Sequence, residues 1–477
     1  MSFVNFVLVF DKIIFVPRTK PPYLCSHNKQ HKNRYTMKNK LFYLFGAVFL
    51  LCSVSIFTSC SSDDDPVVDP PIDNPGGGDD ESYQWEVNGE YFEGNKNALK
   101  MTYNGEELNG KKVIITTDED KQTASIVLKG IETDFLIFKL TPFSPIPGEK
   151  EIKLEKVKLT HGEDGTFLFE GEDKTATRTM TYKGTVKEGE MSIDIKNTLD
   201  NQELAGTWEL APIDNMQSCT NNSPLWIDWD SYVEIDPGEI PNGDKPITGL
   251  NQYPNGLFSL LFFVGEDMFA EIYGFNLKIE QTIKNMLQSV TAQPNGSMFA
   301  TYSYSGDLTK PEWSSEMSHN IIRYYYGEEA GQIYVEVNAD FILGAIGGLL
   351  TRTRANEQDL NELIKPLIDI LKPALEKGFP CKYELKNNKM KINLDGEFTL
   401  KLLKELTTLL NTPSINELIM SFITGDETLA PYATNVDKLL KSLPNALTYK
   451  GSEGNPNDLS GECTFVKIGL QLVKAAE

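Results

Sequence analysis

Histidine is scarce in this chain, with four in 477 residues. Only His161 and His319 follow Cys60, which excludes a histidine-rich metal centre and leaves two candidates for a Ser-His-Asp triad. The chain also lacks a P-loop, a Gly-x-Gly-x-x-Gly loop, a Gly-x-Ser-x-Gly elbow and a His-Glu-x-x-His pair. The sequence therefore indicates no metal and no cofactor.

Cysteine is sparse as well. Besides Cys60, the later chain has only Cys219, Cys381 and Cys463, which are too few for a disulfide scaffold and too scattered for a zinc site. An oxidising compartment would permit one bridge. We favour Cys381–Cys463, because each lies beside a predicted strand of one domain, and Cys219 is then free.

Positive charge is in deficit, with 45 Lys and Arg against 68 Asp and Glu, a net charge of −23. Residues 1–59 carry +7, so the chain from Cys60 onwards carries −30. So acidic a surface repels phosphate backbones, which argues against nucleic acid as a partner. It suits a solvated cell-surface protein.

The positive residues concentrate before an apolar run. Lys38 and Lys40 precede residues 41–57, an arrangement typical of a secretory signal rather than a membrane span. The stretch Phe57-Thr58-Ser59-Cys60 resembles a bacterial lipobox, with Phe57 where leucine is usual. The resemblance implies that 37–59 is a lipoprotein signal peptide and that acyl chains on Cys60 hold the protein on a membrane. An ordinary signal peptide with an incidental cysteine is the alternative.

The flanks of this signal are interpreted separately. Residues 1–36 are most simply an extension from a misplaced start codon, and 60–82 is an acidic, Pro/Gly-rich tether. Two serines and three aspartates follow the cysteine directly: Ser61, Ser62, Asp63, Asp64 and Asp65. They resemble the export tag that takes Bacteroidetes lipoproteins to the outer face of the outer membrane. A plain solvated linker is the alternative.

Residues 83–212 alternate between apolar and polar positions. In "EMSIDIKN", Met191, Ile193 and Ile195 share one face. A one-residue slip in "EIKLEKVKLT" predicts a β-bulge near Glu155-Lys156. With turn signals between the runs, the pattern predicts an antiparallel β-sandwich or barrel.

Several stretches of the chain resemble a known family. "YNGEELNGKKVIITTDEDKQTASIVLKGI", "AGTWEL" and "PNGSMFATYSYSGD" are similar to outer-membrane lipoproteins of Bacteroidetes with a calycin-like (lipocalin-like) β domain. The resemblance covers most of residues 85–345 and implies a fold and a location, with no activity attached. Gly206-Thr207-Trp208 is similar to the lipocalin Gly-x-Trp. Its place late in the β domain favours a sandwich over a barrel.

Residues 213–477 have a different pattern, which predicts a larger α+β domain. "CKYELKNNKMKINL" predicts a hairpin with a type I′ turn at Asn387-Asn388. Leucine stripes predict several amphipathic helices. In the first of them, Pro366 and Pro373 are expected to kink or split the helix.

The candidate ligand-binding residues combine aromatic and acidic side chains: Trp226, Asp228, Trp229, Asp230 and Trp313. Aromatic faces stack on sugars or line apolar cavities, and carboxylates beside them orient hydroxyl groups. Trp229, between two aspartates, is the best single candidate. Core packing is the alternative, because strands favour aromatic residues.

Three classes of function follow. The first is a surface-anchored, non-enzymatic binding module for a glycan, an apolar small molecule or a host component. The second is a secreted carboxylate-dependent hydrolase of glycosidase type, which needs two carboxyl groups at a set separation. The third is a structural envelope protein without a small ligand. An open aromatic platform would favour the first class, and paired carboxyl groups in a cleft the second.

Overall fold

The computed structural model describes residues 86–135, 138–162, 165–212, 224–239, 253–256, 284–285, 287–303, 311–314, 320, 322–337, 357–425 and 430–475. The predicted signal peptide, Cys60, the five residues of the export tag and the tether lie outside these ranges. Cys219 and His319 also lie outside them. What was predicted for these segments stays a prediction.

The first half of the described chain consists of strands. In chain order they are β1 Gly89–Phe92, β2 Ala98–Tyr103, β3 Glu106–Glu107, β4 Lys111–Thr117, β5 Thr123–Gly130, β6 Thr133–Phe135, β7 Phe138–Leu140, β8 Glu151–Lys158, β9 Thr160–His161, β10 Phe167–Lys174, β11 Arg178–Lys187 and β12 Glu190–Leu199. One sheet has the order β1-β4-β5-β8, a second has β3-β2-β12-β11-β10-β9, and β6 pairs with β7. The pairings are antiparallel apart from β2 with β12.

One apolar core joins the two larger sheets. Met191, Ile193 and Ile195 are buried in it, as the alternation predicts, together with residues of β4 and β5. Leu154 and Val157, three residues apart on β8, pair with Ile126 and Ala124, which are two residues apart on β5. Lys156, in the longer segment, has φ 54°. The predicted β-bulge at Glu155-Lys156 is therefore confirmed.

In the second half, eight described strands close into an antiparallel barrel. They are β13 Gly206–Leu210, β15 Leu287–Ala292, β16 Ser297–Tyr302, β17 Ile322–Tyr326, β18 Gln332–Val337, β19 Phe379–Lys386, β20 Lys389–Leu394 and β21 Val466–Lys474. Each strand pairs with the next, and β21 returns to pair with β13. A further strand, β14 Leu225–Trp229, pairs with β21 beyond the end of β13. The expectation of a β-rich fold with antiparallel sheets is confirmed.

The hairpin of β19 and β20 has the predicted register. Cys381 faces Leu394, and Leu385 faces Met390. Asn387 and Asn388 both have positive φ, at 52° and 58°, as a type I′ turn requires. Asparagine tolerates this left-handed conformation better than other side chains do.

The position of Gly206-Thr207-Trp208 differs from the expectation. We assigned this stretch to the end of the first domain, yet it forms the first strand of the barrel. Trp208 lies opposite Val290 on one side and Lys474 on the other. The pairing partners of a strand can lie far along the chain, so local alternation did not show which sheet this strand joins.

Inward-facing side chains fill the barrel. Trp208, Tyr324 and Phe379 are almost fully buried there, and inward residues from all eight strands belong to one contact cluster. The indole N–H of Trp208 donates to the Leu204 carbonyl at 2.8 Å. The barrel thus has a packed core built from side chains.

The described helices are α1 Glu357–Lys377, α2 Gly396–Leu410, α3 Pro413–Thr424 and α4 Ala433–Thr448, with a 3₁₀ turn at Ala430–Tyr432. Pro366 and Pro373 both lie inside α1, which continues through them instead of splitting. Helix α2 follows β20 directly, and the Asp395 carboxylate caps it by accepting from the backbone N–H of Glu397 and Phe398. In the part of the chain that the structure describes, every helix is too short or too polar to cross a bilayer.

A buried polar junction links the first-half sheets to the barrel. Arg323 of β17 donates to the Pro145 carbonyl and to Glu336 Oε1 at 2.8 Å. Its guanidinium lies 5.4 Å from the ring centroid of Tyr103. The Tyr103 hydroxyl in turn donates to the Asn295 carbonyl at 2.6 Å. The two halves therefore meet through charge-assisted and aromatic contacts as well as apolar ones.

Candidate functional site

The outer wall of the barrel at β14, β20 and β21 carries the candidate site, where an aromatic ring lies near charged side chains. Leu470 and Leu472 of β21 point into the barrel core, so Gly469, which alternates with them, faces outwards. Outward-facing Gly469 pairs with Trp226 on β14 and with Asn393 on β20. These three residues form one row across the wall.

The indole of Trp226 lies across β21 at Gly469. A Cβ on Gly469 would stand 2.7 Å from Trp226 Nε1 and 2.2 Å from the Ile392 carbonyl oxygen, so no side chain fits there. The indole N–H donates to the Leu470 carbonyl at 3.3 Å, and the side chain stays partly exposed. The ring is thereby held against the strand with part of its surface open to solvent.

Charged side chains lie near this ring. Lys391 Nζ, on β20, lies 5.5 Å from the ring centroid, within cation–π range. Asp228 and Lys467 form an ion pair at 3.2 Å one row away. We call Trp226, Asp228, Lys391, Lys467 and Gly469 the Trp226 patch. It combines an apolar face with hydrogen-bond donors and acceptors at its rim.

Trp229 does not belong to this surface. Its side chain is 3% exposed, and its indole N–H donates to the Ala446 carbonyl of α4 at 3.0 Å. It packs in a cluster with Leu447 and Val466. Because strand neighbours alternate between faces, Trp226 and Asp228 point outwards while Trp229 points into the core. The choice of Trp229 as the best ligand contact is thus not supported by its position.

Asp230 is engaged elsewhere. Its carboxylate pairs with Lys450 at 2.7 Å and accepts from the Thr464 hydroxyl at 2.6 Å. Burial raises the pKa of Asp230, but the hydrogen bonds from Lys450 and Thr464 outweigh it and hold that pKa below the usual 3.8. A carboxyl group kept ionised in this way is unsuited to be a general acid, and Asp228 is paired with a lysine of its own.

Trp313 lies at another part of the barrel. It forms an isolated bridge with Ser303, just after β16, and is partly exposed. Strands β13 and β15 separate β16 from β21 around the wall. Of the predicted ligand residues, the structure therefore brings together only Trp226 and Asp228.

The predicted Cys381–Cys463 bridge is absent, since both thiols are free and buried. Cys381 belongs to the barrel core, and Cys463 to the cluster beneath α2 and α4. Burial raises the pKa of the Cys381 thiol to about 12 and that of the Cys463 thiol to about 11. A place beside a strand does not bring two sulfur atoms together unless the segments themselves pair, and these do not.

Sequence reasoning missed Lys391, Lys467 and Gly469. All three lie far along the chain from Trp226, and cross-strand pairing alone brings them to it. Gly469 did carry a signal, because a glycine inside the apolar strand "VKIGLQLVK" marks a close approach of other atoms.

No family model matches this chain, and no curated protein and no solved structure matches it. Its class is therefore defined by the fold and the site: a mostly β protein with a closed antiparallel barrel whose outer wall carries an aromatic, charged patch.

Proposed function

We propose that this chain is a lipid-anchored outer-membrane lipoprotein that faces the cell exterior and binds a glycan at the Trp226 patch without catalysing a reaction. The observation that carries the proposal is the indole of Trp226, held over Gly469 with the Lys391 ammonium over its ring. A sugar presents an apolar face to such a ring and hydroxyl groups to the rim. Asp228 and Lys467 supply an acceptor and a donor for those hydroxyl groups.

The packed barrel supports an outer-wall site over an interior one. Trp208, Tyr324 and Phe379 occupy the barrel interior that an apolar small molecule would need. The closed antiparallel barrel, with Gly206-Thr207-Trp208 in its first strand, supports the resemblance to calycin-like lipoproteins. The helices after β18 then complete an α+β second domain.

The affinity of a single patch is expected to be modest. A ring stacked on one indole gains on the order of 0.5–1.5 kcal/mol beyond area burial, and ordering the ligand offsets part of that gain. Many anchored copies on one cell could engage a long polysaccharide together, which raises the effective affinity. A tether and a lipid anchor suit this mode of binding.

The Trp226→Ala variant is expected to lose glycan binding while keeping its melting temperature, because the ring lies on the outer wall and fills no core space. Binding is measured on a glycan array of neutral and acidic polysaccharides, and stability by circular dichroism. Trp313→Ala is the matched control, since this second partly exposed tryptophan lies outside the patch and its loss should leave binding intact. Undiminished binding by Trp226→Ala would overturn the site.

The anchor is tested in cells. Cys60→Ala is expected to abolish acyl labelling and release the protein from the membrane fraction, because the acyl chains on this cysteine supply the attachment. Cys52→Ala is the matched control, as Cys52 lies in the same apolar segment outside the lipobox-like stretch. Acyl labelling that persists in Cys60→Ala would contradict the anchor.

A further inference from the structure

The wall around Trp226 is positively charged in a protein that is strongly negative. Its outward-facing charged residues on β14, β19, β20 and β21 are five lysines and two acids: Lys382, Lys386, Lys389, Lys391, Lys467, Asp228 and Glu384. Lys382 also pairs with Glu329 of the β17–β18 turn, which leaves two positive charges in excess. The whole chain carries −23. A local excess of positive charge against that background favours an anionic ligand at this wall.

Lys391 is the cation best placed to act on a ligand. Among the described residues, no carboxylate lies within ion-pair distance of its ammonium, which contacts the Trp226 ring. Lys467 is paired with Asp228, but both side chains are over a third exposed, at 38% and 48%. Exposed pairs of this kind contribute little to stability, so both side chains can also form hydrogen bonds with a ligand.

We infer that the Trp226 patch selects acidic glycans, in which a sugar carboxylate pairs with Lys391 while the same sugar ring stacks on the indole. This inference rests on the proposed function. The Lys391 ammonium lies over the Trp226 ring, 5.5 Å from its centroid, so a sugar ring that stacks on the indole displaces the ammonium towards its own carboxylate. The carboxylate replaces the indole face as the partner of the ammonium, and Lys467 with Asp228 binds hydroxyl groups beside it.

Polyuronates fit the charge pattern of this protein better than nucleic acids do. A nucleic acid carries a charge on every phosphate along its whole length, so the acidic remainder of the chain repels it. A uronate ring needs only one cation, at one indole. The ligand class is therefore a polysaccharide of carboxylated sugars.

The experiment compares oligomers of galacturonic, mannuronic and glucuronic acid with their methyl esters, which keep the sugar ring and remove the charge. Affinities are measured by titration calorimetry on the full-length protein in detergent and on its variants. The wild-type protein is expected to bind at least one free acid about tenfold more tightly than its ester, the usual difference made by a charge-assisted hydrogen bond. Lys391→Gln should abolish this difference, because the free acid then loses its cation and binds no more tightly than the ester.

Lys386→Gln is the matched control. It removes the same charge from the same wall at the far end of β19, so it should preserve the preference for the acid. If the wild-type protein binds acid and ester equally and Trp226→Ala binds neither, the acidic preference is overturned and the proposed function stands. Failure of every acid, ester and neutral glycan to bind would overturn both. Loss of the preference in Lys386→Gln would overturn the role of Lys391, since net charge alone would then explain it.

Discussion

Arg323→Ala is expected to lower the free energy of unfolding by about 3–5 kcal/mol, because it leaves a buried carboxylate without its cation. Arg323 and Glu336 are 3% and 7% exposed at their side chains and lie 2.8 Å apart. Within the described residues, Glu336 Oε2 has no hydrogen-bond partner, so the pair that Oε1 makes with Arg323 offsets much of the cost of burying this group. The measurement is urea denaturation followed by circular dichroism.

The location of Arg323 adds to the effect. The same guanidinium donates to the Pro145 carbonyl and contacts Tyr103, both in the first half of the chain. Its loss should therefore also loosen the junction between the first-half sheets and the barrel. We expect faster limited proteolysis near this junction than in the wild-type protein.

Two further variants separate this ion pair from surface ones. Lys382→Ala breaks the exposed pair with Glu329 and is expected to cost less than about 1 kcal/mol. Arg323→Met combined with Glu336→Leu removes both buried charges and should recover much of the stability that Arg323→Ala loses. If Arg323→Ala were as mild as Lys382→Ala, the junction would contribute little to stability.

Trp208→Ala is expected to cost about 3–5 kcal/mol of stability, the usual range for removing a large aromatic from a core. Trp208 is 1% exposed and packs in the barrel core on the strand that closes the ring against β21. The loss of its indole N–H would also leave the Leu204 carbonyl without a hydrogen-bond donor. Thermal and urea unfolding measure the loss.

The same substitution at Trp226 provides the comparison. Both variants delete an indole, but Trp226 lies on the outer wall and should leave stability nearly unchanged. Trp208→Phe keeps most of the buried volume and should lose less than Trp208→Ala. A loss below about 1 kcal/mol in Trp208→Ala would show that the ring closure does not depend on this side chain.

Local patterns predicted local structure well. The alternation in "EMSIDIKN", the slip at Glu155-Lys156 and the Asn387-Asn388 turn each depend on neighbouring residues, and the structure confirms each of them. Side-chain period and turn chemistry are set within a few residues, so a single sequence contains that information.

The sequence predicted two residues of the Trp226 patch. Trp226 and Asp228 were chosen for their chemistry, and both lie in the patch. Trp229 was preferred to them because it stands between two aspartates, but the face of β14 that meets α4 was not visible in the sequence. Composition identified the residue types, whereas burial depends on which element covers each face of the strand.

By itself, the sequence determined the β character of the chain, its hairpin and its bulge, because these depend on neighbouring residues. It also determined the acidic net charge, which is a sum over residues, and the absence of known catalytic sequence motifs. Only the tertiary structure decided that Trp208 begins a closed barrel, that Cys381 and Cys463 lie apart, and that Lys391 and Gly469 meet Trp226. Each of these results depends on hydrogen-bonded pairing between strands distant in the chain. Such pairing follows from the packing of the whole fold, which no short stretch of residues specifies.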